Sequence, residues 1–105
     1  MAVMTSSLVH QPRIDKALKK VLRALQPDVV RIRYSLEDNF MGDPSIFFRV
    51  LLSDEAAKEH HLHEKAQRAM RLITEAVDPH ELRLESYFNY RSVSEQEELR
   101  NPIWD

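Results

Sequence analysis

The densest group of potential metal ligands is a cluster of histidines and carboxylates at residues 59–64, which read Glu-His-His-Leu-His-Glu. Imidazole and carboxylate groups are ligands that zinc and other divalent metals take in proteins. Side chains four residues apart share one face of a helix, so two pairs within the cluster could each hold an ion. Zinc sites usually draw ligands from two elements, however, and the remaining histidines, His10 and His80, are distant in sequence. We therefore predict no metal site, and the candidate ligands for one are His60, His63 and Glu64.

The sequence contains no motif typical of an enzyme or of a cofactor-binding protein. The chain has one glycine, Gly42, whereas a glycine-rich phosphate loop needs several. Neither a nucleophile elbow nor a His-Glu-X-X-His motif is present. Asp38 and Asp43 could bind a metal in a small metal-dependent enzyme, but aspartate is common in turns because its side chain bonds the backbone there. We predict no cofactor and no catalysis.

Composition indicates one globular domain over residues 1–105. At 43% hydrophobic and 30% charged residues, the chain differs from a disordered one. It has no cysteine, which excludes disulfides and thiolate metal sites and is compatible with a reducing compartment. No apolar run approaches the length of a membrane span, and the first residues lack the pattern of a signal peptide. We expect a cytoplasmic protein that does not contact membranes.

Hydrophobic periodicity predicts two main helices. Residues 13–25 carry an apolar stripe at helical spacing and end before Pro27. Residues 1–11 have no period and are expected to be poorly ordered, or to form a short strand or arm. A second helix is predicted to begin at Asp54, whose carboxylate would cap its first turn, and to end at Asp78. Its expected buried stripe is formed by Leu62, Ala66, Ala69, Met70, Ile73 and Val77.

Three strands are predicted at residues 29–37, 46–52 and 82–91. The first alternates polar and apolar residues, and the second is apolar on both faces except at Arg49, as expected of an inner strand. The resulting α-β-β-α-β order predicts an α+β fold, a two-layer sandwich in which two helices cover one face of a three-stranded sheet. A right-handed crossover would make the third strand parallel to the second. The strand order could be 1-2-3 or 2-1-3, and the apolar outer face of the second strand favours 1-2-3.

Residues 92–105 form a C-terminal segment, called the tail below, with a short predicted helix. Ser94 and Glu97 have the spacing of a capping box at its start. The tail could fold back on its own domain, which would bury Trp104, because an exposed tryptophan is costly. Alternatively, it could present Leu99, Ile103 and Trp104 to a partner.

Strand alternation predicts a sheet face that the helices leave open. Side chains at odd-numbered positions, from Val29 onward, should emerge together on that face. It could be a solvated surface, a contact with a partner protein or a second copy, or a nucleic-acid surface. Because Glu37 and Glu85 share this face, the sequence favours protein contact over nucleic acid. The predicted contact residues are Arg31, Arg33, Phe47, Arg49, Leu51, Tyr87 and Arg91.

A second charged surface follows the first helix, opposite its apolar stripe. Its basic residues could be a solvated face, or could bind nucleic acid or an acidic partner. The nucleic-acid hypothesis involves the sheet-face arginines together with four basic residues of this helix, which are Arg13, Lys16, Lys20 and Arg23. Our interpretation of the whole sequence is a small non-catalytic interaction or accessory protein, similar to an antitoxin or a regulator, which forms a homodimer or binds a larger partner. Nucleic-acid binding is the first alternative, and a small metal-dependent enzyme is the second.

Overall fold

Three α-helices and a three-stranded sheet make up the described part of the computed structural model, residues 9–105. The elements are α1 (Gln11–Leu25), β1 (Val29–Asp38), β2 (Pro44–Leu52), α2 (Glu59–Val77), β3 (Glu85–Ser92), α3 (Val93–Leu99) and a 3₁₀-helix (Pro102–Trp104). This order confirms the predicted α+β class with its short C-terminal helix. The prediction of a poorly ordered arm falls mostly on residues outside the described range, but Gln11 already belongs to α1. No helix in residues 9–105 combines the length and the apolar character that a membrane crossing requires.

The sheet has the order β1-β2-β3, which is the favoured one of the two predicted orders. β1 and β2 pair antiparallel and β3 lies parallel to β2. Even-numbered residues of β2, Ile46 to Leu52, are fully buried against α1 and α2. Each large aliphatic or aromatic side chain buried there contributes about 1.5–3 kcal/mol. The central strand therefore carries the core, as its sequence predicts.

A register shift at the start of β1 breaks the predicted alternation. Val29 pairs with Leu52 and Arg31 pairs with Leu51, which leaves Val30 as the extra residue of a bulge. Val29 is consequently 1% exposed in the core, and Val30 is 43% exposed. The prediction that Val29 belongs to the outer face is wrong, because a bulge reverses the facing of the residues that precede it. From Arg31 onward the odd-numbered positions keep the predicted face.

The predicted buried stripe of α2 is only partly correct. Ala69, Ile73 and Val77 are buried, but Leu62 and Met70 are exposed. The helix also begins at Glu59, not near Asp54, and its N-cap residue, Lys58, makes no side-chain cap. Residues 54–57 form turns. The buried part of the stripe is therefore shorter than predicted and lies in the C-terminal half of the helix.

Asp54 and Ser94, both predicted as helix caps, bind each other. Asp54 Oδ1 accepts from the Ser94 backbone N–H at 3.0 Å, and Oδ2 accepts from the Ser94 hydroxyl at 2.6 Å. The capping box of α3 lies two residues earlier than predicted, because β3 ends at Ser92: the Ser92 Oγ accepts from the Glu95 N–H, and the Glu95 carboxylate accepts from the Ser92 N–H. The pair of Asp54 and Ser94 thus ties the tail to the β2–α2 connection.

The hydrogen bonds between Asp54 and Ser94 should depend on pH. Hydrogen bonds from the Ser94 hydroxyl and then from its backbone N–H lower the pKa of Asp54. A carboxyl whose pKa is lower in the folded chain stabilises the fold above its unfolded pKa, and this contribution is lost as pH falls through the folded pKa. We expect the chemical shift of the Ser94 amide to follow the protonation of Asp54, with a change below about pH 4. This pH-dependent change should be absent in Asp54→Asn. A Ser94 amide that titrates at the ordinary aspartate pKa would contradict the geometry.

Candidate interaction surface

Odd-numbered side chains of the three strands line up in rows on the sheet face away from α1 and α2. The strand registers place one residue of each strand in every row. The rows are Arg31–Leu51–Arg91, Arg33–Arg49–Asn89, Ser35–Phe47–Tyr87 and Glu37–Ser45–Glu85. All seven predicted contact residues therefore lie on one face, in three successive rows. An acidic row follows them at the end of the sheet that carries the β1–β2 turn.

The tail covers the first of these rows. Trp104 is 6% exposed, and its ring lies 4.5 Å from the Arg91 guanidinium carbon. Its backbone oxygen accepts from Arg31 Nε at 3.2 Å. Leu51, between the two arginines in the row, is buried. The structure therefore places these three predicted contact residues beneath the tail, and the expectation of an entirely open face does not hold there.

Polar groups of the tail complete this contact. Asp105 Oδ1 lies 3.4 Å from Arg31 Nη2, and the Asp105 backbone oxygen accepts from Arg33 Nε at 2.9 Å. The buried side chain of Gln96 accepts from Arg91 Nη1 at 2.9 Å and donates to the Asn101 carbonyl at 2.7 Å. The tail thus folds back on its own domain, one of the two predicted arrangements, and it uses hydrogen-bonding groups of three sheet-face arginines.

The third row remains accessible and is aromatic. Phe47 and Tyr87 stack with ring centroids 4.9 Å apart and an interplanar angle of 13°. Phe47 is half-buried and Tyr87 is exposed. Beside them, Arg49 donates from Nη2 to the Ser35 hydroxyl at 2.8 Å. A stacked aromatic pair is worth about 0.5–1.5 kcal/mol beyond its buried area, so it forms a firm platform on this part of the face.

The β1–β2 turn, which is bonded to the aromatic row, carries two exposed apolar side chains. Phe40 is 94% exposed and Met41 is 71% exposed. Asn39 holds the turn: its Oδ1 accepts from the backbone N–H groups of Met41 and Asp43 at 2.9 Å each. Its Nδ2 donates to the Tyr87 hydroxyl, also at 2.9 Å. One side chain therefore fixes the turn and joins it to the aromatic row.

The sequence interpretation did not select Phe40 and Met41. The available signal was their position, two large apolar residues inside a segment otherwise rich in turn formers, between Asn39 and Gly42. Gly42 has a φ of 84°, which favours glycine, so the turn itself was predictable. A large apolar side chain in such a turn cannot reach the core, and this should have indicated an exposed apolar site.

The basic residues of α1 border a separate groove. Arg13, Lys16 and Lys20 line a concavity of about 660 Å³ between α1 and α2, and Arg23 is exposed in the last turn of α1. The floor of the groove is apolar and includes Val21 and Leu72. Arg13 is also paired with Glu81, with Nη2 and Oε2 3.2 Å apart. The basic residues of the nucleic-acid hypothesis thus flank an apolar groove.

The histidine cluster lies at the start of α2. The rings of His60 and His61 are 4.0 Å apart, and His61 Nε2 lies 4.0 Å from a Glu55 oxygen. Within residues 9–105 no three histidine, aspartate or glutamate side chains converge in a way that could hold a metal ion. His60, His63 and Glu64 are all exposed. Asp38 and Asp43, the acids of the enzyme hypothesis, are also exposed and flank the β1–β2 turn.

Two tyrosine hydroxyls have raised pKa values. Burial and the hydrogen bond to Asp15, 2.6 Å long, raise the pKa of Tyr34. Burial raises the pKa of Tyr90 to about 12, and its hydroxyl donates to the Ala66 carbonyl at 3.1 Å. These two hydrogen bonds join the sheet to α1 and α2.

Exposed apolar residues thus occur in the β1–β2 turn and in the aromatic row, two elements that the hydrogen bond from Asn39 to Tyr87 joins. Comparison of the chain with protein-family models, with curated proteins and with solved structures found no significant match.

Proposed function

We propose that the protein is a non-catalytic interaction or accessory protein that binds a partner protein through the tip surface, defined as Phe40, Met41, Phe47, Arg49 and Tyr87. The observation that carries the proposal is the exposure of Phe40, 94%, in a turn that three Asn39 side-chain hydrogen bonds hold in one conformation. Exposed apolar residues in neighbouring elements, with polar residues around them, indicate a protein-contact site.

Energetics support this use of the turn. Burying a phenylalanine side chain in a partner's pocket contributes about 1.5–3 kcal/mol. A turn that is already ordered loses less conformational entropy on binding than a mobile one, so more of that contribution appears as affinity. Aromatic residues and arginine are the commonest residues at the centres of protein interfaces. Phe40 is therefore the proposed anchor, and the Phe47–Tyr87 stack is the platform beside it.

Charge around the tip surface indicates the chemistry of the partner. Glu37, Asp38, Asp43 and Glu85 are all exposed at this end of the sheet. A partner would match them with a basic rim around an apolar pocket, because complementary charge favours encounter and like charge opposes it. Two copies meeting tip to tip would bring these acids together, so a different protein fits better than the homodimer through this face. The proposal places the protein in the cytoplasm, in a regulatory or antitoxin-like role.

Nucleic-acid binding is supported less well. Arg31, Arg33 and Arg91 already donate to the tail, which reduces the donors available for phosphates. Glu37 and Glu85 lie on the same face of the sheet as these arginines. Binding to nucleic acid would weaken steeply with added salt, because phosphate contacts release counterions. The tip proposal places most of the affinity in the apolar contact of Phe40 and little in exposed ion pairs at the rim, so it predicts a much shallower salt dependence. A titration at two salt concentrations therefore separates the two functions.

The decisive test compares Phe40→Asp with a matched control, Leu99→Asp, which places the same charge at an exposed leucine on α3. We expect the wild-type chain and Leu99→Asp to retain the same proteins from a cell lysate. Phe40→Asp should fail to retain them. With the retained protein purified, Phe40→Asp should raise the dissociation constant at least tenfold, since the anchor would be lost.

Thermal unfolding provides the folding control for this test. Phe40 is almost fully exposed, so Phe40→Asp should change the free energy of unfolding by no more than about 0.5 kcal/mol. Its unfolding temperature should therefore stay close to that of the wild-type chain. Retention of the same proteins by Phe40→Asp as by the wild-type chain contradicts the proposal.

A further inference from the structure

β3 is an edge strand of the three-stranded sheet. Within residues 9–105 it pairs only with β2, and no backbone group of residues 85–91 bonds to a residue of that range outside this pairing. An edge strand presents a row of unpaired N–H and C=O groups on its outer side. Natural edges are usually protected by proline, lysine, a bulge or a covering element. β3, which reads Glu-Ser-Tyr-Phe-Asn-Tyr-Arg-Ser, contains neither proline nor lysine, and its pairing with β2 has no bulge.

The charges of β3 are arranged symmetrically about its centre. Glu85 and Arg91 lie three residues before and after Phe88, on the outer face of the sheet. If two copies of β3 pair antiparallel with Phe88 opposite Phe88, Glu85 of each copy lies opposite Arg91 of the other. Tyr87 lies opposite Asn89, and Ser86 lies opposite Tyr90. The strand is therefore complementary to itself in charge and in the size of the paired side chains.

Other ways of pairing two copies of β3 lack this complementarity. Parallel in-register pairing would set Glu85 against Glu85 and Arg91 against Arg91, and like charges directly opposite are destabilising. A shift by two residues in either antiparallel direction leaves Glu85 without an opposite charge. A shift by one residue would put the helices of the two copies on opposite faces of the joined sheet. The sequence of β3 thus selects one direction and one register.

We infer that β3 pairs antiparallel with β3 of a second copy of this chain, in the register centred on Phe88, and so forms a continuous six-stranded sheet. Phe88 is half-buried and stacks on Phe48 with centroids 4.8 Å apart, so its outer edge would meet the same ring of the other copy. Arg91 keeps donors for this ion pair: its guanidinium stacks on Trp104 and its Nη1 donates to Gln96, while its Nε and Nη2 have no hydrogen bond to residues 9–105. This pairing uses the edge of β3 and does not involve Phe40, the proposed anchor of the tip surface, although Tyr87 belongs to both.

Sedimentation over a range of concentrations, combined with a charge exchange, tests the inference. The wild-type chain should form a dimer, and Glu85→Arg should raise the dimer dissociation constant roughly tenfold or more, because both symmetric ion pairs become repulsive. Glu85→Arg combined with Arg91→Glu should restore dimerisation. Glu98→Arg, the same charge change at an exposed position of α3, is the matched control and should leave the dimer unchanged. Phe40→Asp should also leave it unchanged, which separates this inference from the proposed function.

Disulfide trapping tests the register without changing Arg91. The chain has no cysteine, so Tyr87→Cys and Asn89→Cys chains each carry a single thiol. Directly opposite residues in an antiparallel pair lie about 4.5–5.5 Å apart between Cα atoms, which a disulfide can bridge. A mixture of the two variants should cross-link on mild oxidation, and either variant alone should not. A chain that stays monomeric at all concentrations overturns the inference, and so does a single variant that cross-links as readily as the mixture.

Discussion

Replacement of Trp104 by alanine is expected to lower the free energy of unfolding by about 3 kcal/mol and to release the tail from the sheet. Trp104 is 6% exposed and stacks under the Arg91 guanidinium. Truncation removes its buried area together with a cation–π contact, which is worth about 0.5–2 kcal/mol by itself. Without the ring, the hydrogen bonds that the tail makes to Arg31 and Arg33 lose the packing that holds them in place.

Chemical denaturation followed by circular dichroism measures this loss, because the variant lacks the only tryptophan. Ile103→Ala is the matched control, because the Ile103 side chain, next to Trp104 in the sequence, is 55% exposed. It should lower the free energy of unfolding by less than about 0.5 kcal/mol. Hydrogen exchange should show faster exchange in α3 for Trp104→Ala alone. Equal costs for the two substitutions would mean that the tail is not held by the tryptophan.

The largest effect is expected for Phe48→Ala, a loss of about 4 kcal/mol. Phe48 lies at the centre of β2 with no exposed surface, and it packs against Phe88 on one side. Its removal leaves a cavity beneath both helices that the close-packed core cannot fill. Since domains of this size are stable by about 5–15 kcal/mol, the variant should retain a fold of marginal stability.

The same denaturation experiment on Phe40→Ala supplies the contrast for Phe48→Ala. The two residues have identical side chains and lie eight positions apart in the sequence, but Phe40 is 94% exposed. Its replacement should change stability by no more than about 0.5 kcal/mol. If both substitutions were equally costly, Phe40 would have a structural role and would be unavailable as an anchor for a partner.

Local periodicity was sufficient to predict the elements that build the core. Ile14, Leu18, Val21 and Leu25 are buried along α1 as their spacing indicates, and β2 is the central strand that its two apolar faces predict. Both results follow from repeats of 3.6 and 2 residues, which neighbouring residues determine by themselves. The alternation also placed Phe47, Arg49 and Tyr87 on one face, which is the part of the candidate site that could be predicted.

The remaining features depend on contacts between distant segments. Asp54 and Ser94 are 40 residues apart, and either residue alone has the local signature of a helix cap. Trp104 meets Arg31 across 73 residues, so no local pattern indicates which row of the sheet the tail covers. The bulge at Val30 is a further case, because the register of β1 is set by its pairing with β2. Such contacts are decided by packing, which periodicity does not describe.

The bulge at Val30 also limits how large an assembly these sheets can build. In a pair joined through β3, the outermost strands are the two copies of β1, and each begins with an irregular residue that distorts its outer rim. β1 also carries charged side chains at Arg31, Arg33, Glu37 and Asp38, which discourage the addition of another strand. The β3 edge can pair with a second copy, whereas the β1 edge opposes the addition of a further strand. Assembly should therefore stop at two chains, and a concentrated solution should contain closed pairs instead of fibres.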